Sequence, residues 1–163
     1  MIRSALPALA FIALAAPLAA KDSLGVFSGW GAFRDASVPR CYAIAEAEPS
    51  NASRAFQPYA TVASWPARRI RGQVHFRLSR ERRADSNVIV RIGGRNYPMV
   101  GGKADAWARD GSTDAAILAA LRSAENMRIY ATDTRGRRFS DTYVLAGAAT
   151  AIDAATLACP QRK

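Results

Sequence analysis

The sequence predicts a mainly β fold, either a β-sandwich or a small barrel of about eight short strands, with two short helices, one of them C-terminal. Three observations predict this fold. Short segments along the chain alternate apolar and polar residues, the pair Gly93-Gly94 joins two such segments as a tight hairpin, and an Ala-rich helix ends at Cys159. The 163 residues are enough for one domain with a hydrophobic core, and half of them are hydrophobic.

Residues 1–20 have the pattern of a cleaved signal peptide. Arg3 supplies the positive charge, an apolar run follows over residues 8–16, and the small residues Ala19 and Ala20 offer a cleavage site. The apolar run is short for a transmembrane helix and no second run follows, so no transmembrane span is expected in the mature protein. We therefore expect a single β-rich domain over residues 21–163, located in the periplasm or at the cell surface.

After a loose lead-in at residues 21–27, eight segments are predicted to be strands. They are residues 30–34, 40–45, 59–65, 73–79, 88–92, 97–100, 127–133 and 138–145. The alternation is cleanest in the fourth segment, where Val74 and Phe76 face inward while His75 and Arg77 face outward. The pattern thus assigns the charged and the apolar residues of this segment to opposite faces of a sheet.

Two further segments are predicted to be helices. A loop at residues 101–111 carries Trp107 and leads into the first helix, over residues 114–124, for which Ser112 or Thr113 is the expected N-cap. The apolar stripe of this helix consists of Ile117, Leu118 and Leu121. The second helix follows a Gly-centred turn, and the residues that share one of its faces are Leu145, Ala149, Ile152, Thr156 and Cys159.

Cys159 and Cys41 are the only two cysteines of the chain. In an exported protein, two cysteines most simply form one disulfide bond, and the small face of the second strand places Cys41 where the last helix can pack. The alternative is a pair of unpaired, buried thiols. A redox CxxC pair or a cysteine metal site is excluded by the number and the spacing of the cysteines.

Several spacings together resemble a known family. They are the leader, Trp30, Cys41-Tyr42, the hairpin at residues 89–99, the helix at residues 115–121, and the run Thr142-Tyr143-x-Leu145-x-Gly147 followed by Ala151-Ile152 and Cys159. This pattern, over nearly all of residues 25–160, resembles the invasion-associated locus B family of exported proteobacterial proteins. The resemblance implies a periplasmic or surface-associated β-rich domain, in a family linked to host-cell invasion, and it implies no catalytic residues. Some members of that family carry additional cysteines.

The chain is strongly basic, with 23 Lys and Arg against 13 Asp and Glu and a formal net charge of +10. Its arginines are concentrated in residues 66–91, where only Glu81 and Asp85 oppose them. The candidate anion-binding residues in this region are Arg68, Arg69, Arg71, Arg77, Arg80, Arg82 and Arg83. A guanidinium group suits bidentate contact with phosphate, sulfate or carboxylate, and Trp65 could flank such a surface. The alternative is that these arginines are solvated and protect strand ends and edges.

No catalytic constellation is evident. His75 is the only histidine, so an imidazole metal site has no second ligand, and no nucleophile-elbow motif accompanies it. Asp105, Asp110 and Asp114 form the nearest approach to a carboxylate cluster, but they are expected to serve the loop and the helix N-terminus rather than a metal ion. We therefore predict no catalytic residues, no metal site and no cofactor.

Two hypotheses about function remain. In the first, the protein is a non-enzymatic binding module whose basic face contacts an anionic glycan, lipopolysaccharide or an acidic protein. In the second, it is a structural envelope factor that acts through a protein partner, and its charge is incidental. Nucleic acid fits the charge but not the expected compartment, so it is not an expected partner.

Overall fold

The computed structural model describes residues 21–159, which form ten antiparallel strands and two α-helices. The predicted signal peptide lies outside the described residues. The strands are β1 (Asp22–Phe27), β2 (Trp30–Asp35), β3 (Arg40–Glu46), β4 (Tyr59–Trp65), β5 (Ile70–Arg77), β6 (Val88–Ile92), β7 (Arg95–Gly101), β8 (Asp105–Ala108), β9 (Asn126–Thr132) and β10 (Arg138–Val144). The helices are α1 (Gly111–Leu121) and α2 (Ala148–Ala158). The prediction of a mainly β fold with two helices, the last one C-terminal, is confirmed.

All ten strands belong to one sheet, in the order β1-β2-β3-β4-β5-β8-β7-β6-β9-β10. β1 and β10 are its edges, and in the described part of the chain they do not pair with each other. The sheet nevertheless folds back on itself, because the rings of Phe76 in β5 and Tyr143 in β10 lie 5.9 Å apart. In the same region the indole Nε1 of Trp30 in β2 donates to the carbonyl oxygen of Val144, at 2.9 Å. The two halves of the sheet therefore enclose one core.

The alternation predicted for β5 is confirmed. Val74 and Phe76 are buried in the core, and His75 and Arg77 lie on the outer face, partly exposed. The same alternation in β3 and β4 gives this half of the sheet an apolar inner face and a mixed, aromatic outer face. It is this outer face that carries the candidate site described below.

The C-terminal helix α2 packs on the inner side of β1–β4. Its buried face consists of Ala148, Ala151, Ile152 and Ala155, so small side chains let the helix approach the sheet closely. This face is rotated slightly from the predicted one, since Ala149 and Thr156 are only half-buried. At the end of α2, Cys159 forms a disulfide bond with the buried Cys41 of β3, with the two Cα atoms 5.8 Å apart. The predicted disulfide bond is confirmed.

Two strands were not expected from the sequence. The predicted lead-in at residues 21–27 is the edge strand β1, which pairs with β2 through a bulge between Ser23 and Gly25. The predicted loop at residues 101–111 contains β8, which pairs with β5 on one side and with β7 on the other. The sheet therefore has ten strands rather than about eight.

The N-cap predicted for α1 was also wrong. The helix begins at Gly111, and its cap is Asp110, whose Oδ1 accepts a hydrogen bond from the backbone N–H of Thr113 at 2.8 Å. Ser112 and Thr113 instead lie in the first turn and donate their hydroxyl groups to the same carboxylate oxygen. An ionised Asp is preferred here because it accepts all three bonds and complements the helix dipole. Neither α1 nor α2, the two described helices, has the length and apolar character needed to cross a membrane.

Candidate functional site

A groove runs across the outer face of β3, β4, β5 and β8. Its aromatic lining consists of Tyr42, Tyr59, Trp65, His75 and Trp107. Lys21 and Arg40 also line it. We call this feature the outer-face groove. Its volume of about 470 Å³ is within the range of about 300–1,000 Å³ that is usual for ligand sites.

The strand register explains why these side chains meet. Ile44, Thr61, His75 and Trp107 are direct neighbours in one row across the four strands. Because side chains on every second residue of a strand share a face, Tyr42 in β3 lies on the same face as Ile44. The row spans three inter-strand distances, which amounts to about 14 Å. A groove of this length is built entirely on strands that are paired on both sides.

His75 is held in place from two directions. Its Nε2 lies 2.9 Å from Oδ1 of Asp105, and its Nδ1 lies 3.4 Å from the hydroxyl of Thr61. The neutral tautomer that satisfies both contacts has its proton on Nε2, donates to Asp105 and accepts from Thr61. The second oxygen of Asp105 accepts from Arg77 at 2.8 Å, and the His75 ring lies 5.2 Å from that of Trp107. This network fixes the groove wall.

The same network does not have the parts of an acyl-transfer site. Such a site needs backbone or side-chain donors that point at the developing oxyanion, beside an activated nucleophile. Thr61 lies in the middle of β4, which is paired along its length with β3 and with β5. The N–H groups around it therefore serve the sheet.

The three aspartates that formed the nearest approach to a cluster in the sequence have separate partners. Asp105 faces His75, Asp110 caps α1, and Oδ1 of Asp114 accepts from the backbone N–H of Val74 at 2.7 Å. Hydrogen bonds from Ser112 and Thr113 lower the pKa of Asp110 to about 2, whereas burial raises the pKa of Asp114. Within residues 21–159, no group of three side chains is arranged to hold a metal ion.

Arg40 is the cation best placed inside the groove. Its guanidinium group lies over the ring of Tyr42, 4.7 Å from the centroid, and 32 % of its side chain is exposed. The nearest carboxylate, Asp35, is 3.7 Å away and already accepts hydrogen bonds from Ser37 and Val38, which lower its pKa. The Nε of Arg40 is buried and has no hydrogen-bond partner in the described part of the chain, so a ligand can meet only the terminal nitrogens. Those nitrogens lie over Tyr42 and near Asp35, and they donate no hydrogen bond to a described residue.

Three of the seven candidate arginines are near one end of the groove. Trp65 is the last residue of β4, and the single 3-10 turn Pro66–Arg68 follows it directly. The exposed side chains of this turn and of the start of β5 include Arg68, Arg69 and Arg71. None of the three takes part in an ion pair with another described residue.

The other four candidate arginines have partners within the protein. Arg77 pairs with Asp105 at 2.8 Å, Arg80 with Asp133 at 3.3 Å, and Arg83 with Asp85 at 2.8 Å. Arg82 donates to five backbone carbonyl groups at distances of 2.7–2.8 Å. The carbonyl groups belong to Gly101, Gly102, Arg83, Ala84 and Ser86. Arg82 thus ties together two loops.

The seven arginines do not form one continuous surface. β5 has eight residues and spans about 26 Å. Arg71 is near its start, whereas Arg80 comes three residues after its end, so the two lie at opposite ends of the strand. A separate turn between β9 and β10 carries Arg135 and Arg137 and is organised around Asp133, which accepts hydrogen bonds from the backbone N–H groups of both.

Sequence reasoning missed Arg40, Tyr59 and Trp107 as parts of a site. The signal was present for the first two, because they lie at outward-facing positions of predicted strands. The sequence does not place Trp107, since β8 has only four residues and its local pattern predicts a loop.

We compared the chain with models of protein families, with curated proteins and with solved structures, and none of them matches it. The functional interpretation therefore rests on the geometry and the charge of the groove.

Proposed function

We propose that the protein is an exported, non-enzymatic binding protein of the periplasm or cell surface that binds an anionic component of the envelope or of a host. The resemblance to the invasion-associated locus B family is in keeping with this role. The observation that carries the proposal is the collection of cations at one end of the outer-face groove. These cations are Lys21, Arg40, Arg68, Arg69 and Arg71.

The strand register brings these cations to the same end. Cys41 pairs with Ser64, so Arg40 at the start of β3 lies beside the end of β4, where the arginine turn begins. Asp35 opposes them, with its Oδ2 3.7 Å from Arg40 and its Oδ1 bonded by Ser37 and Val38. The guanidinium groups of Arg68, Arg69 and Arg71 have no ion pair within residues 21–159, so they are suited to bind carboxylate, phosphate or sulfate groups.

Two observations support export. The disulfide bond between Cys41 and Cys159 is of a kind that persists in oxidising compartments and is rare in the cytosol. The leader at residues 1–20 has the composition of a signal peptide. Both are in keeping with a protein of the periplasm or the cell surface.

A salt-dependent binding measurement tests the proposal. The oxidised protein is titrated with dextran sulfate and with neutral dextran, from low to near-physiological salt. We expect the protein to bind dextran sulfate and not neutral dextran. Part of this binding should persist at physiological salt, because exposed charges still act over about 8 Å under those conditions. Replacement of all three exposed arginines by Glu, in Arg68→Glu/Arg69→Glu/Arg71→Glu, should abolish binding without a change in melting temperature.

The matched control changes three exposed arginines elsewhere on the sheet by the same total charge: Arg91→Glu, Arg95→Glu and Arg138→Glu. This variant should keep most of the binding. Equal losses in the two triple variants would show that only the net charge matters. In that case the anion-binding proposal is wrong, and a structural role through a protein partner becomes the better explanation.

A further inference from the structure

We infer that the outer-face groove recognises an acidic oligosaccharide, with sugar rings stacked on its aromatic side chains and a carboxylate group bound by Arg40. This inference rests on the proposed function, which requires only an anion, and it adds the chemical class of the ligand.

The aromatic lining supplies the stacking surface. Tyr59, Trp65 and Trp107 line the groove and are each half-buried, so each side chain is partly open to solvent. A pyranose ring has an apolar face of C–H groups and a polar rim of hydroxyl groups, and an aromatic ring with one open face matches the apolar side. Several such rings in one groove fit a chain of sugars better than a single small anion.

Polar groups lie between the rings, as recognition of hydroxyl groups requires. Thr61 and His75 form the middle of the groove, and Gln73 lines it beside them. The side-chain amide of Gln73 makes no hydrogen bond within residues 21–159, so both its donors and its acceptor are available. Sites for small polar ligands combine an apolar lining with a few polar groups of this kind.

The position of the groove on the sheet argues against a peptide ligand. Extended peptides bind sheets by adding a strand to an exposed edge, where free backbone N–H and C=O groups receive them. β3, β4, β5 and β8 are all interior strands, and their backbone groups are paired with neighbouring strands. A peptide in this groove would gain side-chain contacts only, whereas a sugar chain needs no backbone partners.

The acidic character of the proposed ligand follows from the positive charges that line the groove. Arg40 and Lys21 line the groove. Of the two carboxylates beside it, Asp105 is engaged by His75 and Arg77, and Asp35 lies 3.7 Å from Arg40. The guanidinium group of Arg40 lies over the ring of Tyr42, and its two terminal nitrogens can meet a planar carboxylate with two parallel hydrogen bonds. A uronic-acid unit at this end, with further sugars toward Trp107, satisfies both parts of the groove.

The test compares three probes at near-physiological salt: oligogalacturonate, a neutral maltooligosaccharide, and polyglutamate of matched charge. Tryptophan fluorescence serves as one readout, since Trp65 and Trp107 line the groove while Trp30 is fully buried. Calorimetry serves as the other. We expect oligogalacturonate to bind most tightly and polyglutamate to bind weakly.

Two substitutions then separate stacking from charge. Trp107→Ala should weaken oligogalacturonate binding about tenfold through the loss of stacking, whereas Trp107→Phe should keep most of the affinity. Tyr130→Ala removes an exposed aromatic ring on β9, outside the groove, and should change nothing. Arg40→Gln should weaken oligogalacturonate binding while leaving any binding of the neutral sugar unchanged. The melting temperature of each variant reports whether the fold is intact.

The outcomes separate the two proposals. If polyglutamate binds as tightly as oligogalacturonate, and Trp107→Phe and Trp107→Ala both bind like the wild type, the saccharide inference is overturned while anion binding stands. If binding depends on Trp107 but not on Arg40 or on the exposed arginines, the groove takes a neutral sugar, which overturns the acidic part and the proposed function together. Absence of sugar binding in the folded wild type overturns the inference, and the dextran sulfate titration then decides the proposed function separately.

Discussion

Gly147 precedes α2 at a position where a side chain cannot be accommodated, and its replacement tests how the edge of the sheet is closed. Its φ is 86°, in the left-handed region, and an added Cβ would clash with the backbone carbonyl group of Phe27 at the end of β1. The left-handed backbone alone costs a non-glycine residue about 1–2 kcal/mol. Forced overpacking costs about 1–3 kcal/mol more. We therefore expect Gly147→Ala to lower the free energy of unfolding by about 2–5 kcal/mol.

Gly94 provides a matched control for the backbone contribution. Its φ is 80°, but a Cβ added there would meet no heavy atom within 4 Å. Gly94→Ala should therefore cost only the strain of the left-handed backbone, about 1–2 kcal/mol. Urea unfolding of both variants, followed by far-ultraviolet circular dichroism, gives the difference between them, which is the contribution of the contact with Phe27.

Equal losses of stability in the two variants would refute the argument. They would mean that Phe27 and β1 can move away from α2 without a cost, so that the close approach does not hold the edge strand. Hydrogen exchange gives an independent reading, because the amide groups of β1 should lose protection in Gly147→Ala and keep it in Gly94→Ala.

Three further predictions follow from the fold. The double substitution Cys41→Ala/Cys159→Ala should lower the free energy of unfolding by about 5 kcal/mol, because the disulfide bond closes a loop with a sequence separation of 118. A loss below about 1 kcal/mol in urea unfolding would contradict this prediction. Asp110→Ala should lower the melting temperature at neutral pH but not near pH 2, whereas Asp110→Asn, which can still cap the helix, should lower it less. The pKa of Asp110 is lowered from 3.8 to about 2 in the folded state. Its carboxylate therefore stabilises the protein above about pH 4, and this contribution is lost as the pH falls through about 2. A loss of melting temperature in Asp110→Ala that is as large near pH 2 as at neutral pH would contradict this prediction. Arg82→Lys should lower the free energy of unfolding by at least about 2 kcal/mol, since Lys cannot donate to five carbonyl groups. The control in the same unfolding assay is Arg83→Ala on the exposed surface, which should lower it by about 0.5 kcal/mol or less.

The parts of the fold that could be predicted from the sequence are those with a regular local signal. The alternation along β5, the Gly93-Gly94 turn and the Ala-rich helix ending at Cys159 each carry their structure in their own residues. β1 does not, because the bulge between Ser23 and Gly25 interrupts the two-residue period. A bulge of this kind depends on the pairing with β2, which local sequence does not specify.

The candidate site was only partly predictable, for a different reason. Arg68 and Arg82 are indistinguishable by residue type and by charged surroundings, yet one is exposed and the other is bound to five carbonyl groups. The difference comes from residues 101–102 and 83–86, which the pairing of β6, β7 and β8 brings together around Arg82. Contacts of this kind depend on the topology of the sheet, so a charge count cannot separate binding arginines from structural ones.

The disulfide bond also determines when the fold can be completed. During synthesis from the N-terminus, β1–β4 emerge early as a series of hairpins, but the helix that covers their inner face comes last. Until α2 docks, the small residues of that face remain uncovered. The disulfide bond of Cys41 cannot form before then, because Cys159 lies 118 residues further along the chain. Oxidative maturation is therefore a late and non-local event in this protein. A chain arrested before α2 would expose both an apolar sheet face and a reactive thiol, which is a combination that favours cross-linked aggregates.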